Sequence, residues 1–152
     1  MKIIAINGHK NSGKVNLAEK WNKNENVSFI KPYSDNYRPL DYKVISREDL
    51  DFMVEHNVAL ASTIVNEHIY VYFKEDFKND FCIVCVDDII LKQFLESDFE
   101  VITVFVNNSK SEPSERVEKL YKKNDYNYIY NYGLDDSEEF LEQIAFDVDI
   151  LG

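Results

Sequence analysis

The sequence contains few basic residues, and this shortage excludes one broad class of partner. Among 152 residues, 17 lysines and arginines stand against 28 aspartates and glutamates, so the formal net charge is −11. Only three of the basic residues are arginines, namely Arg38, Arg47 and Arg116. Proteins that bind a nucleic-acid backbone need clustered lysines and arginines. We therefore expect no nucleic-acid partner.

Long apolar runs are also missing. No stretch of 18 consecutive apolar residues occurs, so no membrane-spanning helix is predicted. The first residues lack the basic region, the apolar stretch and the small-residue cleavage site of a secretory signal. We therefore expect a cytoplasmic protein with no membrane partner. The length of 152 residues fits one domain that buries about two-thirds of its unfolded surface.

Cysteine and histidine, the usual side-chain ligands of zinc, are scarce. Cys82 and Cys85 lie in an apolar segment that is typical of a buried strand. Side chains three residues apart on a strand point to opposite faces and lie about 10 Å apart, which is too far for a disulfide. The histidines, His9, His56 and His68, are scattered along the chain. We therefore expect neither a redox pair nor a zinc site.

Glycine is rare, and half of the glycines lie in one motif. Two of the four, Gly8 and Gly13, precede Lys14 at the Gly-x-x-x-x-Gly-Lys spacing of a phosphate-binding loop. In such loops backbone N–H groups surround phosphate oxygens, the following helix N-terminus adds positive potential, and the lysine reaches the outer phosphates. A predicted strand precedes the motif and a predicted helix follows it, which is the required context. The candidate nucleotide-binding residues in this loop are Gly8, Asn11, Ser12, Gly13, Lys14 and Val15.

One position departs from this motif. Val15 occupies the place of the Ser or Thr whose hydroxyl ligates Mg²⁺. An ordinary strand–turn–helix with a solvated lysine is the alternative interpretation of the segment. The sequence context favours binding of nucleotide phosphates, or descent from a protein that bound them.

The order of the apolar segments predicts an α/β fold. Continuous apolar strands at 3–6, 81–86 and 101–106 alternate with amphipathic helices, which is typical of a parallel sheet covered on both faces. We predict a single domain, residues 1–152, whose core comprises 1–26 and 74–152. The block 27–73 is richer in strands and is predicted to form an inserted lobe that faces the phosphate loop.

Local signals predict further elements within these blocks. Ser46, followed by Asp49, is a capping-box signature that opens a helix, and Asn66-Glu67 suits a hairpin turn. Additional strands are predicted at 27–30, 42–45, 58–64, 68–73 and 128–130. The predicted helices have core faces formed by Leu50, Met53 and Val54, by Ile90, Leu91, Phe94 and Leu95, by Val117 and Leu120 after Pro113, and by Phe140, Leu141 and Ile144 after a Ser137 cap.

The insert carries Asp41-Tyr-Lys-Val-Ile-Ser-Arg-Glu-Asp-Leu-Asp-Phe-Met53, and this order resembles guanylate kinase, which has a matching Asp-Tyr, a strand and a Ser-x-Glu-x-Phe-type helix. The phosphate loop is also similar to that of phage-type deoxynucleoside monophosphate kinases. The resemblance covers nearly the whole chain. It implies a P-loop three-layer fold with an inserted lobe that binds a nucleoside monophosphate. It also implies Mg²⁺ with ATP as the donor, and a GMP-like or deoxynucleoside monophosphate as the acceptor.

The same resemblance implies roles for individual residues. Lys14 corresponds to the phosphate-loop lysine, Asp87 to an aspartate near Mg²⁺ and the nucleotide, and Asn131 to an asparagine beside the adenine site. The implied acceptor-binding residues are Ser28, Lys31, Arg38, Tyr42, Tyr70 and Asp87, and the implied catalytic residues are Lys14, Arg38 and Arg116.

Other positions of that family have lost their functional side chains. The glutamate that reads guanine falls near Ala59, the serine that assists it falls near Tyr72, and the arginine-bearing lid is shortened to 107–116. One arginine at the transferred phosphoryl group can be worth about 10³–10⁵ in rate. Tyr42 and Tyr70 also suit half-buried strands. Two hypotheses follow: a nucleoside monophosphate kinase with reduced machinery, or a catalytically weak relative that binds a nucleotide or a protein partner.

Overall fold

The structure, a computed structural model, describes residues 2–8, 12–23, 27–36, 43–108 and 126–151. The strands are β1 (Lys2–Gly8), β2 (Val27–Phe29), β3 (Tyr33–Ser34), β4 (Lys43–Val44), β5 (Ala59–Val65), β6 (His68–Phe73), β7 (Phe81–Cys85), β8 (Glu100–Asn107) and β9 (Tyr128–Asn131). The helices are α1 (Lys14–Trp21), α2 (Arg47–His56), α3 (Asp88–Leu95) and α4 (Ser137–Leu151), with a 3₁₀ turn at Lys74–Asp76. The helix predicted after Pro113 lies outside the described residues.

The larger sheet has five parallel strands in the order β2-β7-β1-β8-β9. Its centre is β1, where Ile4 is level with Ile83 of β7 and Ile102 of β8. These strands are apolar throughout because helices cover both faces of a parallel sheet. The predicted α/β class is confirmed.

Alternate residues of β1 belong to two different cores. Ile4 and Ile6 pack on one face with α1 and α4, where the Trp21 ring stacks on Phe140 at 6.1 Å between centroids. Ile3 and Ala5 pack on the other face with α3. The alternation follows from the two-residue period of a strand. Cys82 and Cys85 likewise pack into opposite cores, and no disulfide joins them.

The smaller sheet has four strands in the order β4-β3-β6-β5, with α2 packed on it. Its hairpin turns at Asn66 and Glu67, whose φ angles are 50° and 69°. Two successive positive φ angles match the twist of a two-residue hairpin, so the predicted turn is confirmed. The Ser46 side chain accepts a hydrogen bond from the Asp49 N–H at 3.1 Å, which confirms the predicted cap of α2.

Three predicted details differ from the structure. Val54 and Leu95 are each 46% exposed, because the buried stripes of α2 and α3 are narrower than predicted. Asp136, rather than Ser137, caps α4 by accepting hydrogen bonds from two first-turn N–H groups. Val27–Phe29 pairs with β7 in the larger sheet, so the smaller sheet begins later than the predicted lobe.

Helix α3 holds the two sheets together. The Gln93 side chain accepts from the Ser62 N–H at 2.9 Å and donates to the Ser62 carbonyl oxygen at 2.8 Å. Tyr72 of the smaller sheet packs edge-on against Phe94 of α3, with ring centroids 5.5 Å apart. The tyrosines of β6 are thereby held over the carboxyl end of β7. Among the described residues, none of the helices combines the length and the apolar character that crossing a lipid bilayer requires.

Candidate functional site: a cleft beside the phosphate loop

The phosphate-binding motif lies where β1 ends and α1 begins. A Cβ at Gly8 would lie 2.7 Å from Ser12 Oγ and 2.9 Å from the carbonyl oxygen of Val106. Gly13 has a φ of 100°, which L side chains rarely adopt, and it precedes the first helical residue. Both positions therefore need glycine. Since Gly13 offers no side-chain oxygen as N-cap, the first N–H groups of α1 are not satisfied by that side chain, and an anion would be stabilised there.

Lys14 folds back across its own loop. Its Nζ donates to the carbonyl oxygen of Gly8 at 3.2 Å. A phosphate oxygen is a charged acceptor and forms a stronger hydrogen bond with an ammonium than a carbonyl does. The side chain is thus positioned at the loop and can exchange this carbonyl for a phosphate.

A buried asparagine joins the ends of the two central strands. The Asn7 side chain is 1% exposed, donates to the carbonyl oxygen of Val86 at 2.8 Å and accepts from the Tyr126 hydroxyl at 3.1 Å. Val86 in turn donates its N–H to Ile6. These bonds set the distance between the phosphate loop and the segment that follows β7. Sequence reasoning missed Asn7, although a polar residue closing an apolar strand was a usable signal.

Asp87 caps a helix and also lines the cleft. Its Oδ1 accepts from the Ile90 N–H at 2.9 Å and so caps α3. The cap uses one carboxylate oxygen. The other is the group that Asp87 can offer to a ligand at the carboxyl end of the sheet, where open α/β folds place their ligands.

The described residues line two contiguous compartments of the cleft. The loop compartment has a volume of about 230 Å³. Lys14, Val15 and Phe29 line this compartment and not the other. The hairpin compartment has a volume of about 210 Å³. Thr63, Val65 and Ile90 line this compartment and not the loop compartment. The wall common to both consists of Pro32, Tyr70, Tyr72, Cys85, Val86 and Asp87. Four predicted site residues, Lys14, Val15, Tyr70 and Asp87, therefore lie around one cleft.

Hydrogen bonds hold both tyrosines of the common wall. The Tyr70 hydroxyl accepts from Asn36 Nδ2 at 2.9 Å, and the Tyr72 hydroxyl donates to the carbonyl oxygen of Cys85 at 3.4 Å. Next to Asn36, the Asp35 carboxylate accepts from the Ile69 N–H at 3.0 Å and from Arg47 at 3.4 Å. The wall is therefore positioned before any ligand binds.

The charge state of Asp35 follows from these contacts. Burial by itself raises the pKa of Asp35, but the hydrogen bonds from Ile69 and Arg47 and the nearby His68 outweigh burial and lower it below its usual value. Arg47 also contacts Asp51 at 3.2 Å. One of the three arginines is thus engaged on the outside of the smaller sheet and does not line the cleft.

The remaining predicted residues are elsewhere. The Ser28 hydroxyl accepts a hydrogen bond from the Asn79 side chain, near the amino end of β7 and away from the cleft. Lys31 Nζ lies 5.6 Å from the centre of the Phe29 ring, beside the lining. The Asn131 side chain, at the end of β9, accepts from Asn107 Nδ2 at 3.2 Å. Asn11, Arg38, Tyr42 and Arg116 lie outside the described residues.

An aromatic ring that was not predicted packs on the loop. A Cβ at Gly13 would lie 2.5 Å from the Tyr132 ring, so that ring occupies the space a side chain would need. The Tyr132 N–H donates to the Asn107 carbonyl oxygen at 2.9 Å, which anchors the ring's backbone. Asn108 Nδ2 donates to the Ser12 carbonyl oxygen at 3.2 Å. The buried Ser12 Oγ has no hydrogen-bond partner within the described ranges.

The cleft offers few oxygens to a divalent cation. Among the described residues, no three His, Cys, Asp or Glu side chains come together as a metal site. Asp87 is the single carboxylate of the described lining, and Val15 supplies no oxygen. Mg²⁺ usually keeps several waters and binds through one or two carboxylates together with substrate phosphates. These residues therefore fit a Mg²⁺ that arrives with a nucleotide.

These features define a class of fold. A parallel sheet with a glycine-rich loop between its central strand and the next helix, closed over by a smaller sheet, is a phosphate-loop α/β fold. Neither the models of protein families nor the sequences of curated proteins match this chain. Among solved structures, the guanylate kinase from Anaplasma phagocytophilum superposes with a TM-score of 0.60. The match covers 97% of this chain and 84% of that chain at 14% identity. The fold is guanylate kinase-like, and at this identity the likeness shows the fold alone.

Proposed function

We propose that the protein is a nucleoside monophosphate kinase, which transfers a phosphoryl group from ATP to a nucleoside monophosphate bound between the two sheets. The observation that carries the proposal is that Lys14 and Asp87 line one compartment, which opens directly into a second compartment on the hairpin. Phosphoryl transfer asks the protein mainly to position two nucleotides in line and to offset charge. A two-part cleft beside a phosphate loop suits that task.

Each part of the chain has a role in this proposal. Lys14 exchanges the Gly8 carbonyl for the outer phosphate oxygens of ATP, and the first N–H groups of α1 bind the same phosphates. Tyr70 and Tyr72 separate the transfer site from solvent on the side of the smaller sheet. Mg²⁺ bound with ATP would offset phosphate charge, and the second oxygen of Asp87 is the group that would hold it.

A second candidate function is ligand binding without turnover, with a nucleotide or a protein partner in the cleft. Val15 removes the hydroxyl that would ligate Mg²⁺, and Arg47 is paired with Asp35 and Asp51 away from the cleft. Both observations leave the cleft with fewer of the groups that an efficient phosphotransferase uses to bind Mg²⁺ and to offset phosphate charge. This candidate predicts binding with no phosphoryl transfer.

Calorimetry with ATP, ADP and GTP tests the phosphate site. Lys14→Ala should weaken binding by about tenfold or more, because it removes a charge-assisted contact. Lys20→Ala is the matched control, since Lys20 is an exposed lysine in the last turn of the same helix. Absence of binding by all three nucleotides, or an equal loss in both variants, contradicts the proposed site.

A coupled assay over ribonucleoside and deoxyribonucleoside monophosphates then separates the two candidates. Transfer to any acceptor at a rate that depends on Lys14 supports the kinase. ATP binding without transfer to any acceptor in the panel supports the binding module and contradicts the kinase.

A further inference from the structure

The hairpin compartment has three described lining residues that the loop compartment does not share. Thr63 of β5 is directly opposite Tyr70 of β6 in the hairpin register, and Val65 follows two residues later on the same face. Ile90 of α3 completes the part of the lining that belongs to this compartment alone. This part of the described lining therefore consists of one hydroxyl and two branched aliphatic side chains.

Hydrogen bonds within the protein engage the two tyrosine hydroxyls of the common wall, and the proposed function assigns the second oxygen of Asp87 to Mg²⁺. The Tyr70 hydroxyl accepts from Asn36, the Tyr72 hydroxyl donates to Cys85, and one oxygen of Asp87 caps α3. A base that enters the hairpin compartment therefore meets the Thr63 hydroxyl, which is the polar side-chain group among the described residues that line this compartment alone. A threonine hydroxyl can donate one hydrogen bond and accept others.

The nucleobases differ in what they would present to such a lining. Guanine carries an N–H and an amino group, and cytosine and adenine each carry an amino group. An amino group placed against Val65 and Ile90 would find no acceptor on either side chain, and a polar group without a partner reduces binding. Thymine carries one N–H but no amino group, and it presents two carbonyl oxygens and a 5-methyl group. Its carbonyl suits the Thr63 hydroxyl, and its methyl suits the aliphatic side chains.

We propose that the hairpin compartment receives the thymine base of a thymidine monophosphate, with Thr63 hydrogen-bonded to a base carbonyl and Val65 and Ile90 in contact with the 5-methyl group. The proposal rests on the proposed function, because it assigns the acceptor of the same cleft. It makes Thr63 and Val65 specificity-determining residues for the transfer.

Binding of dTMP, dUMP, dCMP, dAMP and dGMP in the presence of ADP tests the assignment by calorimetry. dTMP and dUMP differ by one methyl group, so we expect dTMP to bind about tenfold more tightly. We expect dGMP to bind at least about tenfold more weakly than dTMP. Equal affinities of dTMP and dUMP would overturn the assignment. Tighter binding of dGMP than of dTMP would also overturn it, because Asp87 would then be accepting a hydrogen bond from the guanine amino group.

Two variants of unchanged shape assign the contacts. Thr63→Val removes the hydroxyl and should weaken dTMP and dUMP equally, by about fivefold. Val65→Thr replaces one methyl group by a hydroxyl, and should reduce the preference for dTMP over dUMP by at least about threefold. Val65 is 44% exposed, so this variant should fold. An unchanged preference in Val65→Thr contradicts the proposed methyl contact.

Calorimetry with ATP alone keeps this proposal separate from the proposed function. ATP binding with no monophosphate binding overturns the base assignment and leaves the phosphate site intact. Failure of ATP binding contradicts the phosphate site, while a dTMP preference over dUMP in the same protein would still support the hairpin compartment.

Discussion

Replacing Gly13 by alanine separates two reasons why the phosphate loop needs glycine. The first reason is the backbone, since Gly13 has a φ of 100°, and positive φ costs an alanine about 1–2 kcal/mol. The second is the ring of Tyr132, which lies 2.5 Å from the position of the new Cβ. The Tyr132 ring is 39% exposed, so moving it aside costs about 1–2 kcal/mol, the lower part of the range for overpacking a core. We expect Gly13→Ala to lower the free energy of unfolding by about 2–4 kcal/mol, to which both terms contribute.

Gly133 provides a control for the backbone term. It has a φ of 86°, and a Cβ there would meet nothing within 4 Å. Gly133→Ala should therefore cost about 1–2 kcal/mol, the backbone term alone. For a chain of this size, 1 kcal/mol shifts the melting temperature by about 2–4 °C, so thermal unfolding followed by circular dichroism resolves the two variants.

Tyr132→Ala tests the ring directly. Because this variant removes the ring, adding Gly13→Ala to it should cost only about 1–2 kcal/mol, as at Gly133. The reasoning is refuted if Gly13→Ala in the natural sequence costs no more than Gly133→Ala. It is refuted equally if the cost of Gly13→Ala is unchanged in the Tyr132→Ala background.

Two further predictions concern Mg²⁺ and pH. Val15→Thr keeps the side-chain shape and supplies an oxygen, so it should raise kcat at least about tenfold while changing ATP affinity less. If kcat and its Mg²⁺ dependence are unchanged in Val15→Thr, the missing arginines rather than Val15 limit the rate. Asp35→Asn should cost about 1–3 kcal/mol at neutral pH, measured by urea unfolding. Because folding lowers the pKa of Asp35 from 3.8, its stabilisation is present above that pH and is lost as pH falls through the folded-state pKa. A difference between the two proteins that is the same at pH 7 and pH 3 would contradict this account.

The features that sequence predicted well depend on neighbouring residues. The strand before the phosphate loop, the helix after it, the Ser46 cap and the Asn66-Glu67 turn each follow from a few consecutive side chains. The Asp136 cap of α4 lies one residue before the predicted Ser137, because both residue types suit the position. Local signals specify that an element exists better than they specify its first residue.

The features that were missed depend on residues far apart in the chain. Asn7 reaches Val86 across 79 residues, and Tyr132 covers Gly13 from beyond β9. Thr63 and Val65 line the cleft because α3 holds β5 in place, which no local pattern indicates. The pairing of β2 with β7 likewise results from packing of the whole sheet. Long-range pairing of this kind has no signature in a single sequence.

The two hydrogen bonds between the Gln93 side chain and the Ser62 backbone affect how copies of the chain can associate. β5 is the outer strand of the smaller sheet, and its Ile64 is 69% exposed. An outer strand with unpaired backbone groups is a template on which a second chain can add a strand. The Gln93 amide occupies both the N–H and the carbonyl of Ser62, at the middle of that edge. A foreign strand would have to displace it, so one side-chain amide protects this edge against intermolecular sheet growth.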